Sequence, residues 1–359
     1  MLKPALGVLL SLCFSLGMPM AHAQQAAPQA AAKKHTAKKS KARKAKPVQQ
    51  AERKDDAPVR RVAKSSKSRR SKIAYQRVAY TAPAEPAVMT AGDLAGLRAT
   101  HDPLALKSNV AYVVDQSTSQ VLFEKNANAA LPIASITKLM TAMVVVEARQ
   151  DMNEIIEITS DDIDREKHTS SRLQVGARMS RADLLHIALM SSENRAASAL
   201  GRNYPGGIHA FVNAMNVKAR VLGMHETRFV DSTGLSSQNV SSARDLAKLV
   251  IAAQEHPIIC QYSTDQQYVV STGRNLLHYR NSNNLVLNPA WEIGLQKTGF
   301  ISEAGRCMVV QARIDGRPVV MVFLDSKSKD ARTADAGRIR KWLEGGKFQK
   351  VGSAAPTQS

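Results

Sequence analysis

The stretch Pro132-Ile133-Ala134-Ser135-Ile136-Thr137-Lys138-Leu139-Met140-Thr141-Ala142 decides how this chain is read. It is an apolar run with helical spacing, carrying a hydroxyl at its start and an amine one turn later. Residues three apart share a helix face, so the Lys138 amine lies over the Ser135 hydroxyl. Serine is a weak nucleophile at neutral pH unless a base is held beside it. Ser135 is therefore the candidate nucleophile and Lys138 its candidate base. The plain alternative is a helix-capping serine and a solvated lysine. Ser326-Lys327-Ser328-Lys329 has the same spacing without such surroundings.

Two further motifs favour the chemical reading. Ser192-Glu193-Asn194 follows the apolar helical segment Ala182–Met190, and Lys297-Thr298-Gly299 follows later. Ser-x-Asn is a loose pattern, matched also by Ser237-Gln238-Asn239 and Ser282-Asn283-Asn284. Ser192 is preferred because a loop at the end of an apolar helix is held rigidly at a cleft. It would relay a proton between Lys138 and the leaving amine. Asn194 would position Lys138 or donate to the substrate amide. Lys297 and Thr298 suit a substrate carboxylate, and Gly299 would let a substrate backbone approach the strand edge. The backbone N–H groups of Ser135 and Phe300 would form an oxyanion hole. To act as a base near pH 7, Lys138 must come down from about 10.4, which takes roughly 4 to 5 kcal/mol against its ammonium form. Desolvation and the second amine of Lys297 are the available sources.

Around these motifs the chain divides by composition. Residues 1–23 read as a signal peptide, with Lys3, an apolar core, and Ala21-His22-Ala23 before Gln24. Of the formal net charge of +20, about +15 lies between Gln24 and Tyr80. That basic Ala/Lys/Arg-rich stretch, residues 24–88, lacks the apolar content to fold. It reads as a linker that could hold the protein near an anionic wall or membrane surface. Export argues against nucleic acid as its partner. Residues 89–347 read as the catalytic domain and 348–359 as a flexible tail. Beyond Cys13, Cys260 and Cys307 remain, an even number in an exported chain. They are expected to form a disulfide, the alternative being two buried free thiols. His186, on an apolar helix, reads as a core histidine. Without C-x-x-C, H-E-x-x-H or G-x-x-x-x-G-K, no metal and no cofactor is expected.

Within the domain, Val110–Val114 and Gln120–Phe123 predict a hairpin, and the Ser135 helix runs to about Arg149. Glu154–Thr159 predicts a strand. Helices follow at 182–190, Ile208–Leu222 and Ala243–Gln254. Strands at Tyr268–Val270, Glu292–Thr298, Met308–Ala312 and Pro318–Leu324 precede a helix over Ala331–Leu343. Early strands, a helical middle and late strands predict an α+β fold: one antiparallel sheet built from both ends of the domain and flanked by helices, with a helical lobe inserted.

Over roughly Ser108–Lys341 the chain resembles the serine D-alanyl-D-alanine peptidases among the low-molecular-mass penicillin-binding proteins. The three motifs carry the resemblance, with Phe229-Val230-Asp231-Ser232-Thr233-Gly234-Leu235 and Ser242-Ala243-Arg244-Asp245-Leu246. Ser191–Ala196 and Lys297–Cys307 are most similar to the endopeptidases of the penicillin-binding protein 7 type. The resemblance implies a β-lactamase/transpeptidase-like fold and hydrolysis of D-alanyl–diaminopimelate cross-links of peptidoglycan through an acyl-enzyme. It also implies acylation of Ser135 by β-lactams. The alternative is a D-alanyl-D-alanine carboxypeptidase. The short stretch after Lys297-Thr298-Gly299 makes a soluble, periplasmic endopeptidase the expectation. Ser119, where the family often has glycine, and the basic stretch depart from the pattern.

Overall fold

Five strands form the central sheet: β1 (Val110–Asp115), β2 (Val121–Lys125), β5 (Glu292–Ile301), β6 (Gly305–Ile314) and β7 (Arg317–Ser326). Their order is β2-β1-β7-β6-β5, all antiparallel, so the first strand of the domain sits beside the last, with Val110 opposite Leu324 and Asp115 opposite Val319. The sheet is thus closed from both ends of the sequence, as the pattern of elements predicts. The computed structural model describes residues 89–346; the expected signal peptide, basic linker and C-terminal tail lie outside the described residues.

Both faces of the sheet are covered, which is why its strands read as near-continuous apolar runs. Val110, Tyr112 and Val114 face the helical lobe, while Ala111 and Val113 face the C-terminal helix α7 (Lys329–Glu344) through Ala336, Ile339 and Leu343. This is the two-residue period of a strand, read on both sides.

The lobe contains α1 (Thr137–Glu147), α2 (Arg181–Met190), α3 (Asn194–Arg202), α4 (Gly207–Val221), α5 (Ala243–Gln254) and α6 (Pro257–Thr264). Helix α1 is buried from Thr137 to Val145 and packs against α2, α3, α4 and α5. Its apolar circumference is that of a core helix. Ser180 caps α2 in a reciprocal box with Asp183, Ser242 caps α5, and Pro257 opens α6. Among the described residues, no helix is long and apolar enough to cross a membrane.

Some elements differ from their sequence-based expectation. The strand expected over Glu154–Thr159 is only Ile155–Glu157, paired with Arg178–Ser180. The strand at Tyr268–Val270 belongs to a separate hairpin, β3 (Gln267–Ser271) with β4 (Leu276–Arg280), outside the main sheet. Helices α3 and α6 have no counterpart in the sequence-based expectation; α3 is alanine-rich, without a long apolar stripe.

Candidate active site

Ser135 sits on a 3-10 turn, Ala134–Ile136, that feeds into α1. Ala134 has φ of 49°, a left-handed conformation that costs an L-residue energy and persists only where neighbours enforce it. The enforcement is visible. Thr137 Oγ1 donates to the Ala134 carbonyl at 2.8 Å, and Ile133 N–H donates to the Asn239 carbonyl at 3.0 Å. Gly234, with φ of 80°, lies so close that an added Cβ would stand 2.0 Å from the Ala134 oxygen. Asp231 fixes that second turn by accepting from the backbone of Thr233, Gly234 and Ser236. The segment Phe229–Leu235, noted from sequence only by resemblance, is thus the mould against which the serine turn is cast.

Lys138 Nζ donates to Ser135 Oγ at 2.9 Å, to Asn194 Oδ1 at 2.8 Å and to the Thr233 carbonyl at 2.6 Å. The residue is 1% exposed. Burial drives its amine down to about 7, against an upward pull from Asp231, Glu193 and Asp164. Lys297, fully buried on β5, donates to Ser192 Oγ at 2.9 Å and to the Thr298 carbonyl at 2.8 Å. Its amine lies well below the ordinary lysine range, first through burial and then through the charges of Lys138 and Arg332. Desolvation is thus the leading cause for both amines.

Ser192 occupies the loop between α2 and α3 with φ of 63°. It pairs with Lys297, not with Lys138 as the relay reading expects; Asn194 is the group from this loop that reaches Lys138. Asn194 Nδ2 in turn donates to Thr169 Oγ1 at 3.0 Å, whose hydroxyl donates to Asp164. This orients the amide with its oxygen toward the amine.

Lys297-Thr298-Gly299 lies inside the ten-residue strand β5, at the edge of the sheet, rather than at a strand end. Gly299, expected to admit a substrate backbone, has a different neighbour. A Cβ there would stand 2.9 Å from the Ile133 carbonyl and 3.1 Å from the Ser135 nitrogen, so glycine lets the serine turn meet the strand. The same contact brings the Ser135 N–H beside the strand that carries Phe300.

A cleft of about 270 Å³ joins Ser135, Ser192, Asn194, Thr298, Gly299 and Phe300. It also contains Ser282 and Lys329, which belong to rival motif matches, and Arg306 and Arg332, which no motif singles out. Ser282 shares a 2.8 Å hydrogen bond with Thr298. Both rival Ser-x-Asn matches therefore have work near the site: Ser282 in the cleft, and Asn239 bracing Asp231 and Thr137. Arg332 is buried, donates to the Cys307 carbonyl at 2.7 Å, and is lowered to about 10 chiefly by burial. It lies 35 residues after Lys297, with no local pattern to announce it.

The disulfide expectation fails. Cys260 and Cys307 are free thiols, one on α6 directed at the Gln254 carbonyl and one on β6 directed at the Ala304 carbonyl. Each sulfur is turned to a carbonyl close to it in sequence, and burial pushes the Cys307 thiol up to about 12. An even cysteine count carries no information on such geometry. His186 is a buried core histidine, stacked on Tyr262 and 3.0 Å from the Asp265 carboxylate.

Residues 97–328 match the family described as D-alanyl-D-alanine carboxypeptidase. This chain belongs to that family. A D-alanyl-D-alanine endopeptidase of Pseudomonas aeruginosa is 47% identical over 252 residues, 70% of this chain and 81% of the relative. One from Escherichia coli is 45% identical with the same coverage. Relatives named as D-alanyl-D-alanine carboxypeptidases match at 27 to 31%. Among solved structures, a penicillin-binding protein of Listeria monocytogenes in its ampicillin-bound form superimposes with a TM-score of 0.58 at 29% identity. The superposition covers 67% of this chain and 98% of that one. The α+β fold of this carboxypeptidase-family chain is thus the penicillin-binding one.

Proposed function

We propose that this protein is a serine D,D-endopeptidase that hydrolyses D-alanyl–diaminopimelate cross-links of peptidoglycan, with Ser135 as nucleophile and Lys138 as its base. The observation that carries this reading is the Lys138 amine, dry, lowered to about 7 and 2.9 Å from Ser135 Oγ. Near neutral pH a large share of that amine is unprotonated and able to take the serine proton. Ser135 Oγ then attacks the D-alanyl carbonyl, whose oxygen gains charge facing the N–H groups of Ser135 and Phe300. The proton held by Lys138 then passes to the leaving amine as the C–N bond breaks, relayed by Ser192, which enters the cleft hydrogen-bonded to Lys297. Water releases the acyl group from Ser135 in the reverse sense.

Thr298 and Arg332 bind the carboxylate beside the scissile bond, and Asn194 orients Lys138. Endopeptidase rather than carboxypeptidase action is supported by the relatives at 45 to 47% identity. Binding of β-lactams at Ser135 is supported by the ampicillin-bound relative. Export through residues 1–23, with the basic stretch 24–88 resting on anionic wall or membrane, completes the reading as a periplasmic enzyme.

Two measurements test it. Ser135→Ala should abolish covalent labelling by a fluorescent penicillin while the protein stays folded; retained labelling would falsify the assignment. Digestion of purified muropeptides should convert cross-linked dimers to monomers. Release of terminal D-alanine from pentapeptides with dimers left intact would establish the carboxypeptidase alternative instead.

A further inference from the structure

The cleft wall beyond Thr298 carries more positive charge than one substrate carboxylate requires. Thr298 and Phe300 are two apart on β5 and face the same side of the sheet; their cross-strand partners on β6 are Met308 and Arg306. That side is the one covered by α7, whose first turn brings Lys329 and Arg332 to the same cleft. Among the described residues, no carboxylate lines it.

Arg306 differs from its neighbours. Arg332 anchors one guanidinium nitrogen, Nη1, on the carbonyls of Gly299 and Cys307. The Arg306 guanidinium instead lies over the Phe300 ring, 3.5 Å from its centroid, and among the described residues it makes no hydrogen bond or ion pair. Phe300 is 49% exposed, an unusual position for an aromatic side chain on a buried sheet. The pairing of β6 with β7 slips between Arg306 and Met308, and such a bulge re-aims a side chain. The turn before Arg306 is rigid: Ala91 N–H donates to the Glu303 carbonyl at 2.8 Å. Gly305, with φ of 62°, packs on Asp325 with no room for a Cβ. A fixed guanidinium with free N–H edges is suited to a carboxylate.

We propose that Arg306, seated on Phe300 and assisted by Lys329, is a subsite for the leaving half of a cross-linked stem peptide. The inference rests on the endopeptidase reading. A leaving D-alanine has one carboxylate, which Thr298 and Arg332 satisfy. The leaving half of a cross-link is a peptide bearing diaminopimelate, with carboxylates farther from the scissile bond and a methylene chain able to lie on the Phe300 ring. The ledge thus selects a cross-link over a terminal D-alanine.

The test uses the full chain with Ser135→Ala, so that binding is read without turnover, titrated with a purified cross-linked muropeptide dimer and with a monomeric pentapeptide. Adding Arg306→Gln should weaken dimer binding about tenfold, the order of one charge-assisted hydrogen bond, and leave monomer binding within about twofold. Arg306→Lys should recover part of the loss, and Lys329→Gln should show a smaller one. Arg306→Gln with Ser135 intact should keep a wild-type circular dichroism spectrum and melting temperature and should still be labelled by penicillin, which confirms the fold and the nucleophile. Equal loss for both peptides, or no loss for the dimer, overturns the subsite. Selective dimer binding through Arg306 in a protein whose wild type leaves dimers uncut would instead overturn the endopeptidase reading and keep the subsite.

Discussion

Each wall of the cleft contributes one buried lysine, and the two stand in opposite electrical surroundings. On the helical side, Lys138 is held by three oxygen acceptors, with Asp231, Glu193 and Asp164 drawing its amine upward against burial. On the sheet side, Lys297 has Lys138 and Arg332 for charged company, and all of its influences act downward. The same residue type, equally dry, is therefore set to two different levels. Lys138 rests near the working pH, where a base must be. Lys297 has only positive charges near it, so burial and both neighbours act together against its ammonium form. Burial alone would make the two alike; the neighbouring charges make them different.

The sharpest way to break this comparison is to remove the amines separately. Lys138→Met should lower the second-order rate of penicillin labelling by roughly 10³-fold, as loss of a positioned base does. Lys297→Met should act mainly on binding of carboxylate-bearing ligands and leave a larger residual rate. Matching losses and matching pH profiles in the two variants would show that the walls are not differentiated.

The seam between the walls is next in size. Gly299→Ala places a methyl group 2.9 Å from the Ile133 carbonyl and 3.1 Å from the Ser135 nitrogen. It should displace the serine turn, slow labelling and lower stability by about 1–3 kcal/mol in chemical denaturation, as overpacking does. An unchanged labelling rate would mean that the turn does not depend on its contact with β5.

The pH dependence follows from the direction of the Lys138 shift. Because its neutral form is the base, labelling should rise with pH through about 7 and fall away below it, where the amine is protonated. The smallest expected effect belongs to Glu193→Gln. Removing a nearby negative charge weakens the ammonium form, so the acidic limb of the profile should move slightly to lower pH. A shift to higher pH would contradict the charge balance assigned to that wall.

Local chemistry accounts for what could be read from residue order. Helical spacing alone places Lys138 over Ser135, because three residues make nearly one turn. The apolar runs of β1, β6 and β7 announce strands buried on both faces, and Ala243–Gln254 forms the helix that its periodicity predicts. Helix α3 and the separate hairpin β3–β4 were harder to see: the buried face of α3 is short and made mostly of alanine and glycine, and the hairpin is half-exposed, so neither carries a run of large apolar residues.

Residue order by itself thus determined most of the elements and the three short motifs, all of which depend on neighbours within a turn or a strand. Tertiary structure decided which lysine meets which serine, that Gly299 faces the serine turn, that Cys260 and Cys307 stay apart, and that Arg306 and Arg332 reach the cleft. Those outcomes depend on distances between residues far apart in the chain. Such distances are set by how the sheet and the helical lobe pack, and no local pattern encodes them.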